Sequence, residues 1–195
     1  MQRRKFFTAT LPLAAAGAVL AAGRVAAQTS QQPCIPPRVA DVVYEPTPLA
    51  VVDTLIDAAK VGPKDVVYDL GCGDGRFVVA AARRGATGVG FDLNPNLVAW
   101  ATANALAERV DARVKFEVRD LFTVDMSPAS VITLYLLPEL NLKLRPKLWK
   151  ELKVGSRVVS NAFDMGDWVP DRTFAVPTRY QKAFLWTIKP AHKRT

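Results

Sequence analysis

Two kinds of hydrophobic spacing alternate along this chain from about residue 47 onward. Short apolar runs of the kind that form buried strands lie at residues 65–70, 88–91, 113–118, 130–136 and 157–160. Between these runs, apolar residues recur every three or four positions, which is typical of amphipathic helices. Two further runs, 174–176 and 183–188, are separated by a polar turn and predict a hairpin. The pattern predicts an α/β fold, with a Rossmann-like, doubly wound, mostly parallel sheet, helices on both faces and a C-terminal antiparallel hairpin.

Prolines and capping residues mark several helix boundaries. Thr47 before Pro48 predicts a helix start, with the Thr47 hydroxyl as the cap and proline at the first helical position. Asn94 precedes another proline and predicts a second capped start. A further helix is expected to begin at Pro138, with leucines along one face, and to be interrupted at Pro146.

The segment after the first predicted strand combines a carboxylate with a glycine loop. Asp69 lies near the end of the strand, and Gly71, Gly73 and Gly75 follow at alternate positions. Glycines let the backbone turn sharply and leave no Cβ between the main chain and a ligand. A junction of strand, glycine loop and helix is where nucleotide-like cofactors bind. Asp92 ends the second strand roughly 20 residues further on, where a ribose-binding carboxylate is expected.

Charge and spacing indicate which cofactor this loop binds. Asp69 and Asp74 would repel a pyrophosphate, whereas they would attract the sulfonium and ammonium groups of S-adenosylmethionine (SAM). In the dinucleotide fingerprint the third glycine comes three residues after the second, but here Gly75 follows Gly73 by two. SAM is therefore the predicted cofactor, and an NAD-dependent oxidoreductase is the less favoured alternative.

The N-terminus carries the pattern of an export signal. Arg3 and Arg4 precede two phenylalanines and an apolar run that ends near residue 22, which is too short for the roughly 20 apolar residues of a spanning helix. We expect residues 1–27 to form a twin-arginine-type signal peptide handled by the export machinery. The protein would then be exported to the periplasm, or remain cytoplasmic if the signal is not used. No stable membrane span is expected.

The remaining chain divides into a proline-rich flexible linker at 28–40, one catalytic domain at 41–189 and a polar tail at 190–195. Loss of residues 1–27 removes four basic residues and no acid, so the net charge falls from +8 to +4. This charge is too mild and too dispersed to predict a nucleic-acid partner. Cys34 and Cys72 are expected to be free thiols, and the single histidine, His192, excludes a histidine-rich metal site or a His-based triad. No metal is expected.

The order of these motifs resembles that of class I SAM-dependent methyltransferases. The resemblance rests on the Asp69-to-Gly75 loop, on Asp92 after the second strand and on Asp120 after the third. Within that class, four further segments are similar to mitochondrial-type protein-lysine methyltransferases and their bacterial relatives: 45–48, 92–95, 120–122 and 163–168. The resemblance covers essentially the whole chain after the signal.

The resemblance implies a role for each matching residue of the cofactor site. Asp69 and the backbones of Gly71 and Gly73 would hold the methionine end of SAM, Asp92 the ribose hydroxyls and Asp120 the adenine amino group. An aspartate at a strand end also caps the following helix, which is the alternative reading of Asp120.

Tyr44 and Thr47 lie just ahead of the first helix and are expected to close over the cofactor. Helix capping is the alternative role for Thr47.

Candidates for the acceptor side follow the fourth and fifth strands, where the class places its methyl acceptors. They are Tyr135, Glu139, Asp164 and Trp168. Together with Asp167, the last two suggest an acidic, aromatic mouth suited to a cationic lysine. Each has a structural alternative: Tyr135 in the core, Trp168 packed under the hairpin, and Glu139 in the first turn of a helix, where an acid is favourable.

The predicted activity is transfer of a methyl group from SAM to an amine, on a protein lysine or on a small molecule. Methyl transfer from a sulfonium requires mainly alignment of the reacting atoms. A DNA amino-methyltransferase is disfavoured because residues 134–138 read Leu-Tyr-Leu-Leu-Pro in place of the acceptor-binding motif of those enzymes. A non-catalytic SAM-binding module is the alternative, since an exported protein would meet no supply of SAM.

Overall fold

The computed structural model describes residues 43–194. The predicted signal peptide at 1–27, the predicted linker at 28–40 and Cys34 lie outside the described residues, so those expectations stay predictions. Within the described part, Cys72 is a buried free thiol.

Seven strands form one mixed sheet in the described chain. They are β1 (Val66–Leu70), β2 (Thr87–Asp92), β3 (Val114–Val118), β4 (Val131–Leu134), β5 (Arg157–Asn161), β6 (Arg172–Ala175) and β7 (Lys182–Thr187). Their order across the sheet is β3-β2-β1-β4-β5-β7-β6. The first five strands pair in parallel, and β7 pairs antiparallel with both β5 and β6. The predicted fold class, including the terminal hairpin, is confirmed.

Four α-helices cover the sheet on both faces. They are α1 (Leu49–Ala58), α2 (Arg76–Arg83), α3 (Pro95–Ala107) and α4 (Pro138–Glu151). Alternate residues of each central strand point to opposite faces. Val67 and Val131 therefore pack with α1 and α2, whereas Leu70 and Ile132 pack with the leucines of α4. Each leucine fully buried in this way stabilises the fold by roughly 1.5–3 kcal/mol.

Two predicted helix features are wrong. The first helix begins at Leu49 with Pro48 as its N-cap, and no side chain caps it, so Thr47 is not the capping residue. The helix α4 is continuous through Pro146. A proline removes only one helical hydrogen bond, and the buried Leu144 and Leu148 on either side of it anchor this helix to the sheet.

The predicted polar tail is also partly structured. Residues Pro190–Arg194 form a short 3-10 helix. In it, the His192 ring stacks on Trp149 at a centroid distance of 5.3 Å and meets Trp168 edge-on at 5.2 Å. The imidazole therefore packs against the aromatic core beneath the hairpin, and desolvation lowers its pKa.

The strand order reverses direction between β1 and β4, because the chain leaves β1 toward β2 and leaves β4 toward β5. Loops at the carboxyl ends of these two strands diverge and leave a crevice between them, which is where open α/β sheets bind ligands. No described helix has the length and apolar character needed to cross a bilayer.

Candidate active site

A cavity opens at this crevice, above the carboxyl ends of β1, β2 and β4. Its walls come from the glycine loop, from the start of α3 and from the segment that precedes α1. We call it the first cavity. Of the residues predicted to bind the cofactor, six line it: Tyr44, Thr47, Asp69, Gly71, Asp74 and Asp92.

The glycine loop lets an aromatic ring approach the backbone closely. Gly71 and Gly73 have positive φ angles of 86° and 53°, a region that favours glycine. A Cβ added to Gly73 would lie 2.3 Å from Cε2 of Tyr44. Tyr44 therefore packs directly on the loop, which brings the segment before α1 over the first cavity.

Asp92 is oriented by two backbone amides. Its Oδ2 accepts a hydrogen bond from the amide of Gly73 at 2.9 Å, and its Oδ1 accepts one from the amide of Asn94 at 2.9 Å. Asn94 itself caps α3, as predicted. A carboxylate has about four acceptor positions, so Asp92 keeps capacity for two hydroxyl donors of a ligand. The structure thus places Asp92 where a ribose-binding role is possible, and that role stays a prediction.

Asp69 is a buried carboxylate held by a neighbouring hydroxyl. It is 3 % exposed, and the Thr133 hydroxyl donates to its Oδ1 at 2.6 Å. Burial is the main cause that raises the pKa of Asp69, to about 7; the Thr133 hydrogen bond opposes this rise, and the neighbouring carboxylates Asp92 and Asp74 add to it. A cationic ligand group would stabilise the ionised form, so this site favours a cation.

Asp74 differs from the sequence-based expectation. Its Oδ1 accepts from Nε of Arg76 at 2.8 Å and its Oδ2 from Nη2 of Arg76 at 2.5 Å, so an arginine two residues away pairs with its charge. The same guanidinium contacts the Thr47 carbonyl at 2.5 Å and the Tyr44 hydroxyl at 3.3 Å. Asp74 lines the cavity as predicted, but Arg76 pairs with the charge that was expected to attract the cofactor, and the same guanidinium attaches the segment before α1 to the loop.

Thr47 is a buried residue that lines the first cavity. It is 3 % exposed, and its hydroxyl accepts a hydrogen bond from Nδ2 of Asn161, at the end of β5, at 3.4 Å. Thr47 therefore links the first cavity to the carboxyl end of β5.

Asp120 and Gly73 do not line the first cavity. The Asp120 carboxylate accepts a hydrogen bond from the amide of Phe122 at 2.9 Å and caps the 3-10 helix Leu121–Thr123. Its neighbours Arg119 and Leu121 do line the cavity. The capping alternative describes the observed contact, and the adenine-binding role of Asp120 stays a prediction.

The remaining lining of the first cavity is largely apolar and suits an adenine ring or a thioether chain. It includes Phe91, Leu97, Leu121, Leu136 and Leu140. The cavity thus combines the buried carboxylate of Asp69 and the oriented carboxylate of Asp92 with apolar walls. This donor set fits SAM, which carries an ammonium, a sulfonium, ribose hydroxyls and an adenine. Within the described residues, the acids of this site do not form a metal-binding cluster.

A second cavity adjoins the first. It shares Val43, Glu45 and Tyr135 with the first cavity. Its other lining residues are Leu137, Phe163, Arg179 and Tyr180. The Phe163 ring stacks on Tyr135 at 6.2 Å and tilts against Tyr180 at 4.8 Å, so three aromatic rings surround a space next to the cofactor site.

Only one of the four predicted acceptor-side residues lies at these cavities. Tyr135 lines both, and burial, followed by the Glu45 carboxylate, raises its pKa to about 12, so its hydroxyl stays protonated at neutral pH. Glu139 is in the first turn of α4 and lines neither cavity.

The predicted acidic, aromatic mouth at residues 164–168 is wrong. Asp167 pairs with Arg145, and the Asp164 carboxylate accepts from the Gly166 amide at 3.0 Å. Trp168 is 7 % exposed and packs with Trp149 and Trp186. It lies under the hairpin because its large apolar ring is buried there among other aromatic rings.

Sequence reasoning did not single out five residues that the structure places at the two cavities. They are Glu45, Arg76, Phe163, Arg179 and Tyr180. Arg76 directly follows the glycine loop, and Glu45 and Phe163 lie in segments noted for their family resemblance. The sequence therefore contained local features that could have identified these three residues. Arg179 and Tyr180 lie in the turn between β6 and β7, where the sequence pattern indicates only a polar connection.

Comparison with known proteins agrees with this geometry. Residues 69–172 match the family model of the ANTKMT methyltransferase domain. A protein-lysine N-methyltransferase of Saccharolobus islandicus (strain REY15A) is 42% identical over 137 residues, which cover 69% of this chain and 85% of that protein. The adenine nucleotide translocase lysine N-methyltransferase of Mus musculus is 36% identical over 120 residues, covering 61% of this chain. The alignment covers only 52% of the mouse protein.

Among solved structures, an RNA methyltransferase from Salinibacter ruber in complex with S-adenosyl-L-homocysteine (SAH) is 49% identical, with a TM-score of 0.71. The match covers 75% of this chain and 95% of that one. Fold, cofactor-site chemistry and family model point to the same conclusion. The chain belongs to the ANTKMT methyltransferase domain family and is a class I SAM-dependent methyltransferase.

Proposed function

We propose that this enzyme transfers the methyl group of SAM to the ε-amino group of lysine in a protein. The observation that carries the proposal is the second cavity, which is lined by aromatic rings and Glu45 and is joined to the cofactor site through Tyr135. Aromatic faces and a carboxylate suit the cationic lysine side chain. The lysine-methylating relatives from Saccharolobus islandicus and Mus musculus support the same choice of acceptor.

SAM supplies a methyl group already activated by its sulfonium, so the protein's main contribution is to hold the reacting atoms in line. Asp69 would hold the methionine end of the cofactor and Asp92 its ribose hydroxyls. The acceptor lysine must lose a proton before its nitrogen bonds to the methyl carbon. With its raised pKa, the Tyr135 hydroxyl is a hydrogen-bond donor at neutral pH and not the base. We assign the proton to water at the open side of the second cavity.

RNA is a second candidate acceptor, because the Salinibacter ruber structure is described as an RNA methyltransferase. The electrostatics of the second cavity do not favour the phosphates of RNA. Its charged lining residues within the described chain are Glu45 and Arg179, and the two form an ion pair with an N–O contact at 2.8 Å. A surface that binds phosphates needs unpaired basic groups near the reacting centre.

The test uses SAM with a labelled methyl group and three acceptor samples. The first is a mixture of casein and cell protein freed of RNA, the second is the same mixture with its lysines acetylated, and the third is total RNA. We expect label in Nε-methyllysine after acid hydrolysis of the unmodified proteins, and none in the acetylated ones. Label found only in RNA would replace lysine by RNA as the acceptor and leave the methyltransferase class intact. Turnover beyond one methyl group per enzyme would exclude a non-catalytic SAM-binding module.

We also propose that the protein is exported through its N-terminal twin-arginine pair. The support is the sequence alone, namely Arg3 and Arg4 ahead of a short apolar run. Because this export route carries folded proteins, a bound SAM molecule could travel with the enzyme but would support one turnover. Cell fractionation with an antibody, for the natural chain and for an Arg3→Lys/Arg4→Lys variant, tests this. A natural chain found entirely in the cytoplasm would contradict export.

A further inference from the structure

The carboxylate of Glu45 occupies a special position between the two cavities. It lines both, and it lies in the segment that Arg76 attaches to the glycine loop. In the second cavity its Oε2 accepts a hydrogen bond from Nη2 of Arg179 at 2.8 Å. The carboxylate also contributes to the raised pKa of the neighbouring Tyr135 hydroxyl. A carboxylate thus stands beside the aromatic rings at the point where an acceptor would approach the cofactor.

Arg179 already supplies a cation to this carboxylate. Its Nη2 also donates to the Tyr180 hydroxyl at 2.6 Å, and its guanidinium carbon lies 4.6 Å from the centre of the Tyr180 ring. One cation therefore touches the carboxylate and one of the aromatic rings that would recognise a lysine. The guanidinium therefore occupies the position, between a carboxylate and an aromatic ring, that an ammonium group of an acceptor would bind.

The contact between Glu45 and Arg179 is exposed enough to exchange. The Arg179 side chain is 65% exposed and the Glu45 side chain 49% exposed. Exposed ion pairs contribute little to stability because water solvates both charges when the pair opens. An incoming cation can therefore replace the guanidinium without a large loss of folding free energy, and the turn between β6 and β7 need not unfold.

We propose that Glu45 is the carboxylate that receives the ammonium group of the acceptor lysine, and that Arg179 occupies it until the acceptor displaces it. This inference rests on the proposed function. Arg179 then acts as an internal competitor that raises the KM of the enzyme for its acceptor. Glu45 is a specificity residue for a cationic acceptor, and Arg179 a positioning residue that acts through Glu45.

The test compares steady-state kinetics of single and double variants on the protein acceptor labelled in the experiment above. In Arg179→Gln, the competing cation is absent, so we expect the KM for the acceptor to fall by about two- to fivefold, the range expected for an exposed ion pair. In Glu45→Gln, the acceptor loses a charged partner, so we expect its KM to rise about tenfold or more. The double variant should resemble Glu45→Gln, because Arg179 acts only through that carboxylate.

Two controls separate this effect from a change in surface charge or in folding. Arg172→Gln removes a cation from the same hairpin, but Arg172 lies over Phe174 at 4.6 Å and outside both cavities, so its KM should stay that of the natural enzyme. Arg179→Lys keeps a cation beside Glu45 and should return the KM toward the natural value. Calorimetry should give the same SAH affinity for the Arg179 variants and the natural enzyme.

The outcomes distinguish this inference from the proposed function. If the natural enzyme labels lysine and Arg179→Gln leaves the KM unchanged or raises it, the internal competitor does not exist. An unchanged KM in Glu45→Gln would equally overturn the role of that carboxylate. If the natural enzyme labels no lysine on any protein, the proposed function fails first, and the present inference fails with it.

Discussion

The two cavities of this enzyme are built in different ways. The first takes about half of its lining from one stretch of chain, from Asp69 to Leu97, within which the Gly73 amide donates to the Asp92 carboxylate. The second cavity gathers its fewer residues from four separate places, near positions 45, 135, 163 and 179. The cofactor half of the site thus has one continuous segment at its centre, whereas the acceptor half has none and exists only after the sheet has formed.

This contrast explains which of the predicted site residues lie at the two cavities. Residues of the glycine loop lie beside the cavity because their spacing already dictates a strand, a turn and a helix. Residues after β4 and β5 were chosen from their place at strand ends, but their side chains turn either toward the cavity or into the core. Tyr135 turns toward it and Trp168 into the aromatic core.

Among the variants that distinguish cavity residues from core residues, we expect the largest loss of stability at Trp168. Trp168→Ala should destabilise the protein by about 3–5 kcal/mol, because a large buried ring is removed from a packed cluster. The kcat/KM per folded molecule should remain unchanged, since Trp168 lines neither cavity. Urea unfolding and steady-state kinetics measure the two quantities.

Val169→Ala serves as the control for Trp168, because this neighbouring residue is 78% exposed and its truncation should change stability by about 0.5 kcal/mol or less. If the Trp168→Ala protein is folded but has a strongly reduced kcat, Trp168 contributes to the acceptor site after all.

A substitution at Asp92 tests whether the first cavity binds the cofactor. Asp92→Ala removes the acceptor of the Gly73 and Asn94 amides and the predicted ribose ligand, so SAH affinity should fall by about 10- to 100-fold. Titration calorimetry measures the affinity, and Asp111→Ala, at an exposed acid in the 3-10 helix Asp111–Arg113, should leave it unchanged. Equal affinities in the two variants would mean that Asp92 has no role in binding.

A glycine substitution tests the contact that joins the loop to the segment before α1. Gly73→Ala places a Cβ against Tyr44 at a positive φ of 53°, so SAH affinity should fall about tenfold as the ring is displaced. Gly155→Ala is the matched control, because its φ is 90° and nothing lies within 4 Å of the added Cβ.

Both glycine variants should lose about 1–2 kcal/mol of stability from the unfavourable backbone conformation. Only Gly73→Ala should bind SAH more weakly. Similar binding losses in the two would show that backbone strain, and not the contact with Tyr44, accounts for the effect.

The raised pKa of Asp69 predicts a pH dependence of cofactor binding. Its pKa of about 7 in the free enzyme means that the carboxyl is largely neutral below that pH. The α-ammonium group of SAH prefers the ionised form of Asp69, so SAH affinity should fall several-fold between about pH 7.5 and about pH 6, with proton release on binding. Calorimetry in two buffers of different ionisation enthalpy measures both, and a flat profile would contradict the assignment.

The same shift affects folding of the free enzyme. Because the folded pKa of Asp69 lies above its unfolded value, ionisation of this group disfavours the folded state. Its contribution to the free energy of unfolding should therefore fall as the pH rises from about 4 towards 7.

The smallest effect is expected at Thr133, whose hydroxyl stabilises the ionised form of Asp69. In Thr133→Val this hydrogen bond is absent, so the midpoint of the pH profile should move upward by about one unit. Thr123→Val, at an exposed threonine whose hydroxyl donates to the Asp120 carbonyl, should leave the midpoint unchanged. A downward shift in Thr133→Val would show that the hydroxyl favours the neutral acid.

Several departures from the sequence-based expectations have one physical origin. Thr47 before Pro48 has the pattern of a helix cap, but its side chain is drawn into the site by contact with Asn161, over a hundred residues away. His192 belongs to a polar segment by composition, yet it stacks on Trp149. In each case a partner chosen by tertiary packing outweighs the local preference.

The sequence by itself determined the order of strands and helices, the glycine loop and the carboxylates of the cofactor site. Those features follow from periodicity and from the backbone freedom of glycine, which act within a few residues. Only the tertiary structure decided that Glu45, Tyr135, Phe163 and Arg179 share one cavity. Contacts between distant segments depend on which strands become neighbours and on which side chains the core has room to bury, and no local pattern encodes that competition.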